Sequence, residues 1–447
     1  MPTSSVLLRP SSLVVTQISS PDDPLFSPVF FQQSILVNII AKMMLESEQA
    51  DFHDLLKRLR NLFKQVGYVS ERFFESTFLS VKALLERNVT ISVDNTCLSQ
   101  LSSFTSFFGA PVQSISLEVK SSKLKDLTFF SQFVTELKLS SNHLFGFDFL
   151  DPSSHLYLPR LRTLYCRFCD LRNEDAVTLA KVLKLNSTVT KIDLWTNAID
   201  HEGVVALAKV LKLTSTITSI NLGRNSVGDE GVIALSEALK MNSTITQINL
   251  CENDIGDEGV IALSEALKMN STITQIDMCE NAIGDEGVIV LSEVLKLNST
   301  ITQIDLSEND IGDEGVIVLS EVLKLNSTIT QIDLSENDIG DEGVIALSEA
   351  LEMNSTITYI NLGLNAIGDE GVIALSEALK MNSTITHIDL SNIYFSDEGV
   401  IALSEVLKLN STITQIDLFE NDIEDESATA LFEALKLNST RTHIDLH

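Results

Sequence analysis

Cysteines and carboxylates are the side chains of this sequence whose types and spacing could do chemistry. Cys166 and Cys169 form a CxxC motif, a spacing typical of redox centres and metal sites. Cys251 and Cys279 lie 28 residues apart. The chain holds 62 Asp and Glu against 31 Lys and Arg, so carboxylates are available to acid–base chemistry, cations or basic partners.

Motifs of known catalytic sites are absent from the sequence. It contains no P-loop, no nucleophile elbow, no HExxH motif and no zinc spacing. A catalytic carboxylate dyad needs two carboxylates in different environments, whereas these are repeated and exposed. The sequence therefore predicts a protein that is not an enzyme and has no catalytic residue, cofactor or metal.

A 28-residue unit repeats from residue 161 to the end of the sequence, and its clearest copy is ITQIDLSENDIGDEGVIVLSEVLKLNST at 301–328. Full units begin at residues 161, 189, 217, 245, 273, 301, 329, 357, 385 and 413, and a half unit, RTHIDLH, follows. A fixed period of this size predicts a solenoid, in which each unit buries its apolar side against its neighbours.

The first half of a unit predicts a strand and a bend. In ITQINL, at 245–250, apolar and polar residues alternate, so Ile248 and Leu250 point inward. Successive units stack these strands into a parallel sheet, spaced roughly 4.8 Å apart. Asn253 follows at the bend, where a buried amide can hydrogen-bond backbone groups.

The second half of the unit predicts a helix. Asp257 is expected to be the N-cap, with Glu258 in the first turn near the positive end of the helix dipole. Gly259 lies on the buried side, where the lack of a side chain allows close packing of helix on strand. Asn270 is expected to be the C-cap.

The repeat gives the motifs structural roles. Cys166 occupies an inward leucine position and Cys169 the bend position, so the CxxC motif is interpreted as structural. Cys251 and Cys279 share one outward column; a disulfide is one alternative, and reduced thiols are the expectation for a cytosolic protein. The NST tripeptides are interpreted as turns rather than glycosylation acceptors; they begin at Asn186, Asn242, Asn270, Asn298, Asn326, Asn354, Asn382, Asn410 and Asn438.

The pattern LxxLxLxxNxLxxxGxxxLxxxL over residues 161–446 resembles the ribonuclease-inhibitor type of leucine-rich repeat. Similar repeats occur in NLR immune receptors and in activators of Ran-type GTPases. The resemblance implies an α/β solenoid shaped as a horseshoe, with parallel strands on the concave face, helices on the convex face, and a function in protein binding. Cys169 at the bend is a variant that the family also uses, whereas Ile393 departs from the pattern.

The N-terminal third has a different organisation. Residues 1–27 are rich in Ser and Pro and are predicted to be disordered. Residues 28–87 are predicted to be a small helical region, with an amphipathic helix at 51–68 between helices near 32–45 and 70–87. Residues 88–160 are interpreted as irregular repeats forming an N-terminal cap, with strands near 91–93, 115–117 and 137–144.

Charge and cysteine content set expectations for partners and location. Residues 161–447 hold 47 acidic and 17 basic residues, which disfavours nucleic acid and anionic membranes and favours a basic protein partner. No segment approaches the roughly 20 apolar residues of a membrane span, and the N-terminal residues lack the basic start and long apolar core expected of a signal peptide. Five cysteines, an odd and low number, indicate a reducing compartment, so a cytoplasmic location is expected.

The concave face is the predicted binding surface. Its outward Glu column contains Glu252, Glu280, Glu308 and Glu336. Like charges stacked one strand apart repel by roughly 1 kcal/mol per pair in water, and a basic partner would relieve that repulsion.

Departures from the repeat supply candidate anchors for a partner. Trp195 and Phe419 occupy one outward column near opposite ends of the array. A hot spot is predicted where outward residues change; its members are Tyr359, Leu364, His387, Tyr394 and Phe395.

The sequence leaves three functions open. The first is an intracellular scaffold or receptor that recognises a basic protein on its acidic concave face. The second is a GTPase-activating regulator in which Arg224, alone on the concave rim, supplies a cation. The third is an F-box-like ubiquitin-ligase adaptor, because residues 28–75 have the size and helicity of an F-box. Edge-to-edge self-association through residues 441–447 is also predicted, since an open strand follows the last helix.

Overall fold

The computed structural model describes residues 14–16, 89–92, 115–119, 134–139, 147–154, 157–421, 423–438, 440 and 442–446. The helices predicted within 28–87 lie outside the described residues, as does the F-box-like segment. Of the predicted disordered segment 1–27, only Val14–Thr16 are described, and they form a strand. The chain divides into two compact units, Met1–Asp170 with Leu185–Asp193, and Leu171–Lys184 with Leu194–His447.

The first of these two compact units contains six strands and a short 3-10 helix at Asp148–Leu150 among its described residues. The strands are β1 Val14–Thr16, β2 Val89–Ser92, β3 Ile115–Val119, β4 Val134–Leu139, β5 Thr163–Tyr165 and β6 Lys191–Asp193. β1 pairs antiparallel with β2, and β2 to β6 run parallel in chain order. Strands therefore occur at each of the three positions where early repeat strands are predicted.

The second unit alternates strands with helices. Its strands are β7 Ser219–Asn221, β8 Gln247–Asn249, β9 Gln275–Asp277, β10 Gln303–Asp305, β11 Gln331–Asp333, β12 Tyr359–Asn361, β13 His387–Asp389, β14 Gln415–Asp417 and β15 His443–Asp445. Its helices are α1 Asn173–Leu183, α2 His201–Leu211, α3 Gly228–Leu239, α4 Asp257–Leu267, α5 Asp285–Leu295, α6 Asp313–Leu323, α7 Asp341–Met353, α8 Asp369–Met381, α9 Asp397–Leu409 and α10 Asp425–Leu437.

Strands β7 to β15 are parallel and pair in chain order, each residue opposite the one 28 positions later, as Gln303 is opposite Gln331. Ile248 and Leu250 are buried, as are Leu263 and Leu267 on α4, which confirms the inward positions. The predicted α/β repeat solenoid is confirmed. β15 pairs with β14, and self-association through 441–447 stays a prediction.

The bend asparagine links neighbouring units through its side-chain amide. Asn253 Nδ2 donates to the carbonyl oxygens of Leu222, Leu250 and Cys251 at 2.8–3.0 Å, and its Oδ1 accepts from Val227 N at 3.2 Å. These bonds satisfy buried backbone groups of both units, as predicted. The unit with Ile393 keeps the bend, because Ile393 N donates to Asn421 Oδ1 of the next unit at 2.9 Å.

The helix caps differ from the sequence prediction. Asp257 is the first residue of α4 rather than its N-cap, which is Gly256. Its Oδ1 instead accepts from Gly284 N at 2.8 Å and Gly287 N at 3.0 Å, at the start of the following helix α5. Each such Asp therefore caps the helix of the next unit, and a good cap contributes about 1 kcal/mol.

The buried glycine also has a different neighbour from the one predicted. A Cβ on Gly287 would lie 2.6 Å from Asp257 Oδ1, too close for a carbon and an oxygen that are not bonded. The glycine therefore admits the capping carboxylate of the preceding helix, rather than mainly allowing the helix to approach the strand.

The NST asparagines are structural. Asn270 is 5% exposed, and its Nδ2 donates to Leu239 O at 2.9 Å. Its Oδ1 accepts from Thr272 N and Ile273 N. The nitrogen that a glycan would need is thus buried and engaged, which agrees with the interpretation as a turn.

Candidate protein-binding site

The exposed face of β7–β15, called here the strand face, presents the outward side chains of each unit. Between the strand and the bend asparagine, one residue per unit has a left-handed backbone: φ is 52° at Glu252, 49° at Glu280, 53° at Glu308 and 52° at Glu336. A residue with a side chain pays about 1 kcal/mol for this conformation. The four glutamates share one backbone geometry and form a row along the strand face.

A second acidic row runs beside the first. Asp277, Asp305 and Asp333 end three consecutive strands, in direct register with one another. The four glutamates and these three aspartates are called the acidic ladder below. Seven carboxylates thus lie on neighbouring strands separated by about 4.8 Å.

Burial and mutual repulsion raise the pKa values of several ladder carboxyls. Desolvation, with the charges of Glu280 and Glu336, raises the pKa of Glu308, an exposed side chain, to about 7. Burial and the charge of Asp305 raise the pKa of Asp277 to about 6. Burial is also the main cause that raises the pKa of Asp333. The ladder consequently holds protons at pH values where ordinary carboxyls have lost them.

A basic side chain compensates the ladder at one end only, among the described residues, while its aspartates also accept hydrogen bonds from neutral neighbours. Arg224 Nε lies 3.2 Å from Glu252 Oε2, the one ion pair that the ladder makes among the described residues. Asn249 donates to Asp277, and Asn361 Nδ2 donates to Asp333 Oδ2 at 3.0 Å. The middle of the ladder is left without a basic neighbour in the described part of the chain.

The strand face changes character beyond the ladder. Tyr359 on β12 and His387 on β13 lie directly opposite each other and replace the glutamines of earlier strands. Burial, Asp333 and Asp389 raise the pKa of Tyr359 to about 12, so its hydroxyl stays protonated. Leu364 takes the left-handed position of the glutamates, with φ 57°, and is 41% exposed.

The predicted hot spot is only partly exposed. Tyr394 is 80% exposed, but Phe395 is 5% exposed. The expectation of Phe395 as an exposed anchor is wrong, because it fills the core column that holds Ile367 in the preceding unit. Its ring packs beside Gly399, where a Cβ would lie 2.6 Å from Phe395 Cδ2. The remaining members are Leu364 and Tyr394, which are exposed, and Tyr359 and His387, which are half-buried; these four are called the divergent patch below.

Trp195 and Phe419 do not join this patch. The Trp195 ring lies over Gly223, where a Cβ would be 2.2 Å from Trp195 Cζ3, and Phe419 is partly exposed near the last strands. They belong to distant units of the array, so the structure does not bring them together.

The cysteines fall into two kinds of site. Cys251 and Cys279 are joined by a disulfide, so the expectation of reduced thiols is wrong; their shared column on adjacent strands brings the Cα atoms to 4.5 Å, within disulfide range. Cys166 and Cys169 are buried and not disulfide-bonded, and Cys169 Sγ donates to Leu139 O at 3.1 Å. A hydrogen bond with Cys169 and burial raise the pKa of Cys166 well above its usual value. The CxxC motif is therefore structural, as interpreted.

A row of exposed apolar side chains at the helix ends was missed in the sequence. Each of these residues comes directly before the Asn of an NST tripeptide, or before Thr214, which takes the place of that Asn in one repeat. Each is at least 65% exposed. They are Leu213, Met241, Met269, Leu297, Leu325, Met353, Met381, Leu409 and Leu437. The signal was present, since these positions fall outside the helix stripe formed by residues such as Leu263 and Leu267.

Comparisons with known proteins agree with the repeat fold. A family model described as Leucine Rich repeat matches residues 215–236, 242–264, 270–292, 297–320, 325–348, 354–376 and 409–432. These matches agree with leucine-rich repeats over the matched residues, where the strand–helix units above occur; the ribonuclease-inhibitor type stays a prediction. No curated protein matches the chain.

Two solved structures are similar to parts of the chain. An internalin (inlF) from Listeria monocytogenes has a TM-score of 0.46 and 15% identity, covering 81% of this chain and 88% of that one. The leiomodin-1 actin-binding site 2 has a TM-score of 0.31 and 22% identity, covering 34% of this chain and 88% of that one. In the described part of the chain, no helix is long and apolar enough to cross a membrane.

Proposed function

We propose that this protein is a non-enzymatic, cytoplasmic scaffold whose strand face binds a basic protein partner. The acidic ladder supplies the electrostatic attraction, and the divergent patch supplies apolar and aromatic contacts. The observation that supports this most strongly is the row of four glutamates, Glu252, Glu280, Glu308 and Glu336, at one left-handed backbone position, whose middle lacks a basic neighbour among the described residues. Nucleic acid and anionic membranes carry the wrong charge for this face.

A basic segment would restore the ordinary ionisation of the ladder. Each Lys or Arg placed between neighbouring glutamates replaces a like-charge contact by an opposite-charge contact. Because the ladder takes up protons when it is free, binding at neutral pH would release protons and weaken as salt is added.

The other two functions have less support. As a GTPase activator, the chain would use Arg224, but its guanidinium pairs with Glu252 and is not held ready for a nucleotide. The F-box alternative rests on residues 28–75, outside the described residues.

A binding titration with matched charge variants tests the proposal. A fluorescent peptide rich in Arg and Lys is titrated with the wild type, with the triple variant Glu280→Gln/Glu308→Gln/Glu336→Gln, and with the control Glu286→Gln/Glu314→Gln/Glu342→Gln. The control removes the same charge from exposed first-turn positions of α5, α6 and α7. Fluorescence anisotropy is measured at several salt concentrations.

The ladder variant is expected to lose about 10-fold or more in affinity and much of the salt dependence, whereas the control loses little. Equal losses in both triple variants would show only general attraction to an acidic protein. That result would sink the proposal that the strand face is the binding site.

A further inference from the structure

Cys251 and Cys279 lie among oxygen donors at one end of the acidic ladder. The ligand atoms of Cys251, Asp277 and Cys279 all lie within 4.8 Å of one another. Those of Cys251, Glu252 and Glu280 form a second group within the same limit. The two groups share Cys251, so its sulfur lies within 4.8 Å of a ligand atom of each of the other four residues.

The backbone fixes this arrangement. Cys251 and Cys279 follow β8 and β9 at the same register, and Asp277 lies two residues before Cys279 on the same face of its strand. Asp277 Oδ1 also accepts from Cys279 N at 3.3 Å, which ties the carboxylate to the turn that carries the sulfur. A small ligand would find these donors already close together.

The two redox states of the cysteine pair offer different chemistry. In the disulfide the sulfurs are bonded to each other and are not thiolate ligands. Two thiols of a reductant supply two electrons and two protons to the disulfide, giving two Cys thiols and one reductant disulfide. A divalent metal then displaces the two thiol protons and binds two thiolates.

We propose that the reduced protein binds one Zn²⁺ through Cys251, Cys279 and Asp277, with a carboxylate of Glu252 or Glu280 completing the site. Two thiolates and carboxylate oxygens match the mixed soft and hard ligands that Zn²⁺ accepts in a tetrahedral site. Ca²⁺ and Mg²⁺ prefer oxygen alone, so the sulfurs select against them. Metal binding and the disulfide are mutually exclusive states of the same two residues.

The CxxC pair and the Cys251–Cys279 pair differ in their access to solvent. Cys166 is fully buried, and the Cys169 thiol is committed to Leu139 O. Cys251 is buried, but Cys279 and Asp277 are partly exposed and Glu280 is exposed, so the strand-face side of the site is open to an ion.

Zinc titration in defined redox states tests the inference. The protein is reduced with a phosphine, freed of the reductant without air, and titrated with Zn²⁺ in competition with a chromophoric chelator. One Zn²⁺ per chain is expected for the reduced protein and none at this site for the oxidised protein. Cys279→Ser is expected to weaken binding by more than about 100-fold, beyond the usual effect of losing an outer-sphere group, and Asp277→Asn by about 10-fold.

Controls separate this site from the rest of the chain. Asp389→Asn removes the equivalent carboxylate four strands further on, outside the ladder and without a cysteine beside it, and Cys169→Ser removes a buried thiol; both are expected to bind Zn²⁺ as the wild type does. Co²⁺ bound to the reduced wild type should show thiolate-to-metal charge-transfer absorption, which needs no variant to fold. Failure of the reduced wild type to bind Zn²⁺, unchanged binding in Cys279→Ser, or a Co²⁺ spectrum without thiolate bands would each overturn the proposal.

Discussion

Repeats 245–356 and repeats 357–412 share one backbone and differ in what they place on the strand face. Both have a left-handed residue before the bend, but in the first segment it is Glu252, Glu280, Glu308 or Glu336, and in the second it is Leu364 or Asn392. Both keep the in-register parallel strands. The framework therefore permits any of these side chains, and the acidic row is not needed for the fold.

The difference between the two segments shows that the acidic ladder lowers the stability of the fold. In the ladder, like charges meet at strand spacing, and the pKa values of Asp277 and Glu308 rise because ionisation is unfavourable there. In the divergent patch, Leu364 ends the row of glutamates. A surface that costs stability without supporting the fold is best explained by a binding role.

Loss of the disulfide is predicted to lower the free energy of unfolding more than any of the other changes below, because the disulfide joins two repeats of the ladder. Reducing it, or replacing both cysteines as Cys251→Ser/Cys279→Ser, should lower the free energy of unfolding by about 3–4 kcal/mol, from the entropy of a closed loop of 28 residues. Urea unfolding followed by circular dichroism measures this loss. Added reductant should not change the urea unfolding curve of the double variant. Identical unfolding curves for the wild type with and without reductant would contradict the prediction.

The pH dependence of stability is predicted to follow Asp277. Its pKa is about 6 in the folded protein against 3.8 for an ordinary Asp. The folded state therefore binds the proton more tightly, and stability falls as pH rises from about 4 to about 7. For a carboxyl this buried, the loss is on the order of 2–3 kcal/mol.

Asp277→Asn keeps an oxygen acceptor and has no charge, so it should remove this part of the pH dependence. Asp389→Asn, in the same column of the divergent repeats, is the matched control and should leave it in place. Urea midpoints at pH 4, 5, 6, 7 and 8 provide the comparison. A wild type whose stability rises over this range, with the Asp277→Asn curve parallel to it, would refute the assignment.

The capping carboxylates should stabilise the fold in both segments. Asp285→Ala removes the acceptor of Gly312 N and Gly315 N and should cost about 1–2 kcal/mol. Asp369 accepts from Ser396 N, Ser396 Oγ and Gly399 N, so Asp369→Ala should cost more. Thermal unfolding measures both losses, and Asp310→Ala, at an exposed loop position, is the control. Equal stability of Asp285→Ala and the control would exclude capping between units.

Extending the ladder should have the smallest effect. Leu364→Glu adds a fifth glutamate at a position that already has the left-handed backbone. Repulsion from Glu336 should lower stability by less than about 1 kcal/mol, while affinity for the basic peptide rises by a few fold. Leu364→Gln controls for loss of the apolar side chain. An unchanged affinity in Leu364→Glu would show that charge at this row does not guide binding.

Most of the fold can be predicted from local periodicity in the sequence. Alternation predicts the strands, and the inward Ile248 and Leu250 are buried; the bend role of Asn253 follows from the need to satisfy buried backbone groups. The capping role of Asp257 was assigned to the wrong helix, because residue preference for a cap does not distinguish the helix that the residue begins from the next one. Only the structure shows that its oxygen reaches Gly284 and Gly287.

The candidate site was less accessible to sequence reasoning. The left-handed position gave no signal, because glutamate rather than glycine occupies it. A cytosolic location favours reduced thiols, whereas the shared column places Cys251 and Cys279 on adjacent strands, where the structure has the disulfide. Phe395 was assigned by its aromatic character, while its column in the repeat, that of a buried isoleucine, gives the correct burial.

The titration of Glu308 tests the central claim most directly. The carboxyl carbon signal of Glu308, identified by its loss in Glu308→Gln, is followed by NMR from pH 3 to 9 in selectively labelled protein. The structure predicts a pKa of about 7 in the free protein, because of desolvation and of Glu280 and Glu336. The pKa should fall toward the ordinary 4.5 in Glu280→Gln/Glu336→Gln and when a basic peptide is bound. A free protein in which Glu308 already titrates near 4.5 would contradict the account, since the ladder would then have no repulsion for a partner to relieve.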